Sequence, residues 1–336
     1  MTDGRHGDGS LGDRSLGDGR HGDGSLGDAV LAVDIGGTKT AVALLDGEHA
    51  VLAMAQAPTP GADGPDAIIG TVVALAQQVV ERAPGARVVA TGVGTAGTVD
   101  VDRGAIVWAT ETLADWAGTP LAASLRSRLA PLVGDAPVQV QNDVDAHALG
   151  ELRRGAAAGA RSALMVAVGT GIGASVIVDG RVLRGHRHVA GAFAHVPVGA
   201  AGLRCTCGRV GHLEAIGGGL GLHRHYLALG GDRSVADARG VAGRAPHDPI
   251  ARRAVADSAA AVGRAIAGAA TLLDPELVVL SGGVVAAGAV WWAPMESALR
   301  TELIEVLHDL PVVAGSLGGA APLHGAAAAA WEMVGA

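Results

Sequence analysis

An α/β fold of two related domains facing a cleft is predicted by three observations. Two strand–glycine-turn–strand units, AVLAVDIGGTKTAVALLD (29–46) and ALMVAVGTGIGASVIVDG (163–180), open the two halves of the chain. Each is followed by helical and strand-like periods in alternation, the pattern of a sheet covered by helices. The third is composition: 336 residues, 49% hydrophobic, suffice for two cores. With 53 glycines and only 2% aromatics, those cores must be packed from Ala, Val and Leu.

Residues 1–28 form a low-complexity tail in which DGRHGDGSLGD occurs twice, at Asp3–Asp13 and Asp18–Asp28. Gly, Asp and Ser with few apolar residues cannot bury enough surface to offset ordering entropy, so disorder is expected. Folded sequence is expected from Ala29, with strands at 29–37 and 40–46 and a third in VLAMAQAPT. Pro65–Arg82 has a helical period, Val88–Val93 reads as a strand, Pro120–Leu129 as a helix, and VQVQ (138–141) as a strand ending at Asn142-Asp143. Ala146–Ala158 is helical by period. After the second glycine unit, residues 219–274 read as a long helical region broken near Pro246. LVVLSGG (277–283) is a strand running into a third glycine turn. A short strand at Val312-Val313 and an Ala-rich helix from about Gly319 close the chain. The expected domains are a small one over 29–145 and a larger one over 146–318, with the helix of 319–336 returning to the first.

The net charge of −8 and the lack of an arginine-rich face argue against a nucleic-acid partner. Two cysteines one residue apart cannot build a disulfide framework, which fits a reducing, cytoplasmic setting with thiols free for metal. The N-terminus has no apolar signal core. The uncharged runs Leu277–Met295 and Leu310–Trp331 are broken by glycines and a proline, so no membrane span is expected.

Chemistry concentrates in Gly191–Glu214, GAFAHVPVGAAGLRCTCGRVGHLE. His195, Cys205, Cys207 and His212 lie within eighteen residues, two of them in C-x-C, a pattern that suits a tetrahedral zinc site. Four protein ligands would fill the coordination sphere and make the zinc structural. The alternative is surface histidines beside two structural thiols. In DIGGTKT, Gly36 and Gly37 let the backbone approach a phosphate, Thr38 offers a hydroxyl, and Lys39, the only lysine, a point charge. Asp34 could hold a hydrated magnesium ion; a plain hairpin turn is the competing reading. Gly169-Thr170-Gly171-Ile172-Gly173 offers a second anion nest. Neither turn matches the P-loop or dinucleotide pattern. Asp143, at a strand's C-terminal end, could act as a general base or merely cap the following helix, and spacing alone favours the cap.

Taken in order, Asp34–Lys39, Gly92–Asp100, Gln141-Asn142-Asp143, Gly169–Gly173, His195 with Cys205–Gly208 and Gly211–Glu214, then Leu272–Gly283, resemble the ROK (repressor, open reading frame, kinase) family of sugar kinases and regulators. The resemblance spans nearly the whole chain from residue 29. It implies the two-domain actin/hexokinase-like (ribonuclease H-like) ATPase fold with ATP and sugar in the interdomain cleft. It makes Asp143 the base that takes the proton of the attacking hydroxyl, and puts Asn142, His195 and Glu214 among the sugar-binding groups with the Gly97 loop beside them. Gly36, Gly37, Thr38, Lys39, Thr170 and Gly171 would hold the ATP phosphates, with Mg2+, and Gly282-Gly283 the adenosine end. His195, Cys205, Cys207 and His212 fall on the zinc ligands. A homodimer or tetramer is the family's usual assembly.

Three departures bear on the acceptor. Where the family usually has Gly-Glu-x-Gly-His, this chain has Gly191-Ala192-Phe193-Ala194-His195. Losing that charged acceptor costs about 1.5–3 kcal/mol if the substrate still presents the hydroxyl it would bind. His212 replaces the usual fourth cysteine, and Thr112 and Ala96 stand where an Asn and a Pro commonly line the sugar pocket. The expectation is an ATP-dependent hexose kinase, glucokinase-like. The alternatives are a kinase of a C7 cyclitol, deoxysugar or amino sugar, and a non-catalytic sugar sensor. A repressor is disfavoured because only the Gly/Asp repeat, with three arginines and six aspartates, precedes Asp34.

Overall fold

The computed structural model describes residues 26–110 and 112–335. The repeat expected to be disordered lies, over residues 1–25, outside the described residues.

In the first half the chain forms β1 (Gly27–Ile35), β2 (Lys39–Asp46), β3 (Val51–Pro58), α1 (Pro65–Arg82), β4 (Ala86–Thr95), β5 (Thr98–Asp100), β6 (Ala105–Trp108), α2 (Leu121–Val133) and β7 (Val138–Asn142). Then follow α3 (Asp143–Arg154), β8 (Ala163–Val168), β9 (Ile172–Val178), β10 (Arg181–Val182), β11 (Pro197–Arg204), β12 (Val210–His212), α4 (Glu214–Gly217), α5 (Gly219–Ala228), α6 (Ala238–Arg244) and α7 (Pro249–Leu273). The chain ends with β13 (Leu277–Ser281), α8 (Ala289–Glu302), β14 (Val312–Ala314) and α9 (Ala321–Met333).

Two five-stranded sheets share one plan. The first has the order β3-β2-β1-β4-β7 and the second β10-β9-β8-β13-β14. In each, three strands form an antiparallel meander and two more add in parallel to the central strand. This duplicated order is the ribonuclease H-like arrangement of the two-domain actin/hexokinase-like fold. Its use here is positional. The carboxyl ends of β1, β4 and β7 lie side by side, with Asp34 opposite Gly94 and Thr95 opposite Asn142. The ends of β8 and β13 are likewise paired, Ala167 with Ser281. Ligands of open α/β sheets gather outside such strand ends.

Two helices cross between the sheets. α3 leaves the first sheet and packs on the second, burying Leu149 and Leu152 with Met165 and Ile177. α9 leaves the second sheet and packs back on β1 and β4 through Leu323, Ala326, Ala327 and Ala330. They touch each other without side-chain bulk. A Cβ on Gly325 would lie 1.7 Å from the Ala146 carbonyl oxygen, and one on Gly150 would lie 2.1 Å from that of Ala321. Glu151, fully buried, fastens the end of α3 to the segment before α9 by accepting from the backbone N–H groups of Ala156 (2.8 Å), Leu317 (3.0 Å) and Ser316 (3.1 Å).

Several expectations need adjustment. β1 begins at Gly27, two residues before the expected start at Ala29, because Asp28 takes a bidentate ion pair from Arg87 at 2.7 Å and Gly27 pairs with Ala86. The helix after Asn142 starts at Asp143 rather than Ala146. The helical stretch of 219–274 is three helices. It breaks at Gly230, whose φ is +93°, and again before Pro249, and Asp237 and Asp248 cap the restarts. The hairpins β5–β6 and β11–β12 have no counterpart in the sequence reading. Among the described residues, no helix is long and apolar enough to cross a membrane.

Candidate active site

The strand ends bring two carboxylates together. Asp34 is the last residue but one of β1 and Asp143 follows β7, with β4 between them. Burial pushes the Asp34 carboxyl up to about 7, the negative charge of Asp143 adds to the rise, and Lys39 opposes it. Burial also raises Asp143, against backbone and Asn142 hydrogen bonds that lower it.

Asp143 is not the helix cap. Asn142 is: its side-chain oxygen accepts from the N–H groups of Val144 (2.9 Å) and Asp145 (3.3 Å). The capping role that spacing favours for Asp143 thus belongs to its neighbour, because Asn142 retains extended backbone geometry while Asp143 is already helical. Asn142 Nδ2 also donates to the Gly97 carbonyl at 2.9 Å. Its oxygen and one N–H are therefore spent within the protein.

A clamp holds the residues on either side of Asp143. Arg184 donates to Asp145 at 2.9 Å and to Gln141 at 3.0 Å, and Ser175 donates to the other oxygen of Asp145 at 2.8 Å. Asp145 is suggested by the pattern N-D-x-D, but Arg184 carries no signal in the sequence.

The first glycine turn is braced from below. Gly36 N–H donates to the Lys39 carbonyl at 3.0 Å, while Thr59 donates to the Gly36 carbonyl and pairs with Thr40, both at 2.8 Å. Thr38 and Lys39 are exposed. Thr112 lies over this turn, since a Cβ on Gly37 would come within 2.6 Å of its methyl group. The second turn is held from the side of α5, where Gly219 and Leu220 donate to the carbonyls of Gly169 (2.8 Å) and Thr170 (3.0 Å). It also touches the start of α3: a Cβ on Gly173 would meet Val144 at 2.5 Å. Gly282 has φ +103° and backs onto the Val168 carbonyl, while Gly283 faces open space. The positive φ of Gly282 and its approach to the Val168 carbonyl require glycine there.

Glu214 ties the second turn to the Cys/His loop. One oxygen accepts from Ile172 N–H at 3.2 Å, and the other accepts from the Thr206 hydroxyl. In that loop His195 Nδ1 lies 3.6 Å from Cys205 Sγ and His212 Nδ1 lies 3.2 Å from Cys207 Sγ, with all four donor atoms within 4.8 Å of one another. Zinc–sulfur bonds of about 2.3 Å and zinc–nitrogen bonds of about 2.0 Å place such donors roughly 3.5 Å apart in a tetrahedron, so the set fits the ion. Burial pushes the Cys205 thiol up, a penalty that a bound cation reverses. Gly208 and Gly211 have φ of +87° and +86°, the left-handed conformations that fold the short C-x-C turn back on β12.

The contacts close into a ring. Asn142 holds Gly97, and Gly97 lies against Trp108, whose carbonyl oxygen would be 2.8 Å from a Cβ there. The Trp108 ring meets His195 edge-on, centroids 6.1 Å apart at 88°. His195 leads through Cys205 to Glu214, Glu214 to the second turn, and the turn to Val144 beside Asp143. Trp108 has no signal in the sequence that marks it for this place. Ala192 is exposed at the start of the short helical turn that carries His195.

Residues 30–332 match the model of the ROK family. The glucokinase of Streptomyces coelicolor is 31% identical over 90% of this chain and 97% of its own length. The kanosamine kinase of Amycolatopsis mediterranei is also 31% identical, over 89% of this chain and 95% of its own. Among solved structures, a ROK family glucokinase from Streptomyces griseus in complex with glucose and AMPPNP superposes with a TM-score of 0.77, at 31% identity over 90% of this chain and 99% of that one. With the duplicated sheets, the glycine turns and the Cys/His loop all accounted for in one match of this extent, the chain belongs to the ROK family.

Proposed function

We propose that this ATP-dependent sugar kinase transfers the γ-phosphoryl group of ATP to a hydroxyl of a hexose, with Asp143 as general base. The reading rests above all on the Asn142–Asp143 pair. Asn142 takes over the capping of α3, leaving Asp143 a half-buried carboxylate of raised proton affinity at the carboxyl end of β7, with one oxygen accepting from Val144 N–H at 2.9 Å. A carboxylate in that state accepts a proton more readily than an ordinary one.

The step balances simply. The acceptor hydroxyl gives its proton to Asp143, its oxygen bonds to the γ-phosphorus, and the bond from that phosphorus to the β–γ bridging oxygen breaks to release ADP. Positioning and electrostatics supply most of the catalysis in such transfers. The turns at Gly36-Gly37 and Gly169–Gly171, with Thr38, Lys39 and Thr170, cradle the phosphates, and Gly282-Gly283 leave room for the adenosine. Asp34 would hold a hydrated Mg2+, which when bound neutralises phosphate charge. His195, Cys205, Cys207 and His212 would hold a structural zinc. With its Nδ1 facing Cys205 Sγ at 3.6 Å, His195 would keep Nε2 off the metal and available to the acceptor. Glu214 and the Gly97 loop complete the acceptor site.

The acceptor is the least constrained part. Ala192 removes a carboxylate at the rim, and relatives of equal identity carry the names glucokinase and kanosamine kinase. An amino sugar, deoxysugar or C7 cyclitol is therefore the alternative to glucose. Asp143→Asn is the test: it should lower kcat by at least about 100-fold while sugar binding, read by calorimetry, stays within a few-fold. Retained turnover would refute the base assignment.

A further inference from the structure

We infer that Trp108 is a specificity-determining residue of the acceptor site, a platform for the C–H face of a six-membered ring polyol. This deepens the kinase reading and rests on it for the location of the acceptor. Trp108 occupies the point in the ring of contacts where the two sheets' loops meet. It closes hairpin β5–β6 of the first half, its backbone backs Gly97, and its ring abuts His195 in the loop of the second half.

Its exposure separates it from structural tryptophans. Trp108 is 45% exposed, whereas Trp116, in the loop just after the same hairpin, is 1% exposed and donates to Thr95 and the Ala96 carbonyl from beneath. Leaving half of an indole open beside a metal-binding loop has a solvation cost unless something apolar covers it. Asn142 has its oxygen engaged by α3 and one N–H by Gly97, and Glu214 accepts one hydrogen bond on each oxygen, from Ile172 and Thr206, which fixes the direction of the acceptor sites it keeps. Ala192 contributes only a methyl group. An open aromatic face beside His195 adds discrimination by ring face to discrimination by hydroxyls. The ligand class that fits is an uncharged cyclic polyol with equatorial hydroxyls and a flat array of axial C–H groups, pyranose or carbocyclic.

Trp108→Ala and Trp108→Phe test this, read by steady-state kinetics and by tryptophan emission during titration with glucose, 2-deoxyglucose and a carbocyclic analogue of glucose. The alanine variant should raise acceptor KM about tenfold, with kcat and the KM for ATP within about threefold, and the phenylalanine variant should recover most of the loss. Emission of the wild type should respond to acceptor, and that response should vanish in both variants. Metal content of the variants equal to wild type would show that the loss does not pass through the His195 loop. Unchanged acceptor KM in the alanine variant, or a fall in kcat at unchanged KM, would overturn the platform. Binding by the wild type without turnover would overturn the kinase reading while the emission response still decides Trp108. No binding of any of the three rings would overturn the platform itself.

Discussion

Lowering the pH from 8 to 6 should weaken magnesium binding to this protein by roughly tenfold, because the Asp34 carboxyl has its proton affinity raised to about 7. The sign follows from the causes. Burial and the facing charge of Asp143 both penalise the ionised form, so the folded chain holds the proton where an unfolded chain has lost it. A metal ion needs the carboxylate, so below pH 7 each binding event displaces a proton. The ionised fraction falls from about nine-tenths at pH 8 to about one-tenth at pH 6, and apparent affinity falls with it. Without metal, the contribution of Asp34 to stability is fully present below about pH 4 and is lost as pH rises to about 7, by at most roughly 4 kcal/mol, and magnesium would restore it. The assay is a magnesium titration of the ATP complex by calorimetry at both pH values, with Asp34→Asn alongside. Equal affinities at pH 6 and 8 in the wild type, or an unchanged pH slope in the variant, would refute the reasoning.

Other tests address the frame around that pair. Gly325→Ala would force a methyl group into the Ala146 carbonyl and should cost about 1–3 kcal/mol or more, read as a lower chemical-denaturation midpoint. Glu151→Gln leaves buried N–H donors short of an acceptor and should cost about 1–3 kcal/mol. Burial alone would raise the Glu151 carboxyl, but its backbone N–H bonds outweigh this and lower it. Its contribution is therefore present at neutral pH and disappears as pH falls below the usual carboxylate range. The melting temperature of the variant should accordingly depend less on pH there than that of the wild type. Removing metal with a strong chelator should release about one zinc per chain, lower the melting temperature and raise the sugar Kd. Cys207→Ser should reproduce all three effects, and a chain that carries no zinc would exclude the structural metal.

Motifs confined to a few neighbouring residues were legible in the sequence. The strand-to-glycine turns at Asp34–Gly37 and Val168–Gly173 show in the strand period and the glycine spacing, both local. The Cys/His loop shows because His195, Cys205, Cys207 and His212 are close in sequence. What was not legible depends on contacts across the chain. The choice between Asn142 and Asp143 as cap turns on which residue keeps extended geometry, and both types cap well. Glu214 reaches Ile172 across 42 residues, and Arg184 reaches Asp145 across 39. Gly325 sits in an alanine run whose composition promises only a helix. Its role arises from the carbonyl of Ala146, 179 positions earlier, and no local pattern encodes that approach.

The same crossing of helices explains why Asp143, the proposed base, sits where it does. Asn142 is the last residue of β7 in the first sheet, and Asp143 is the first residue of α3, which packs on the second. Asp143 therefore belongs to neither half alone. In the proposed reaction, closure of the Gly36-Gly37 turn toward the Gly169–Gly173 turn would act across this junction, and the bare contacts at Gly150 and Gly325 would let α3 and α9 shift without lifting side chains over one another. The clamp from Arg184 to Gln141 and Asp145 would hold both flanks of the proposed base during such a movement, as a transfer governed by alignment requires. Bulk introduced at Gly150 or Gly325 should consequently slow turnover even where the fold survives, with the loss in kcat and not in the affinity of the open protein for sugar.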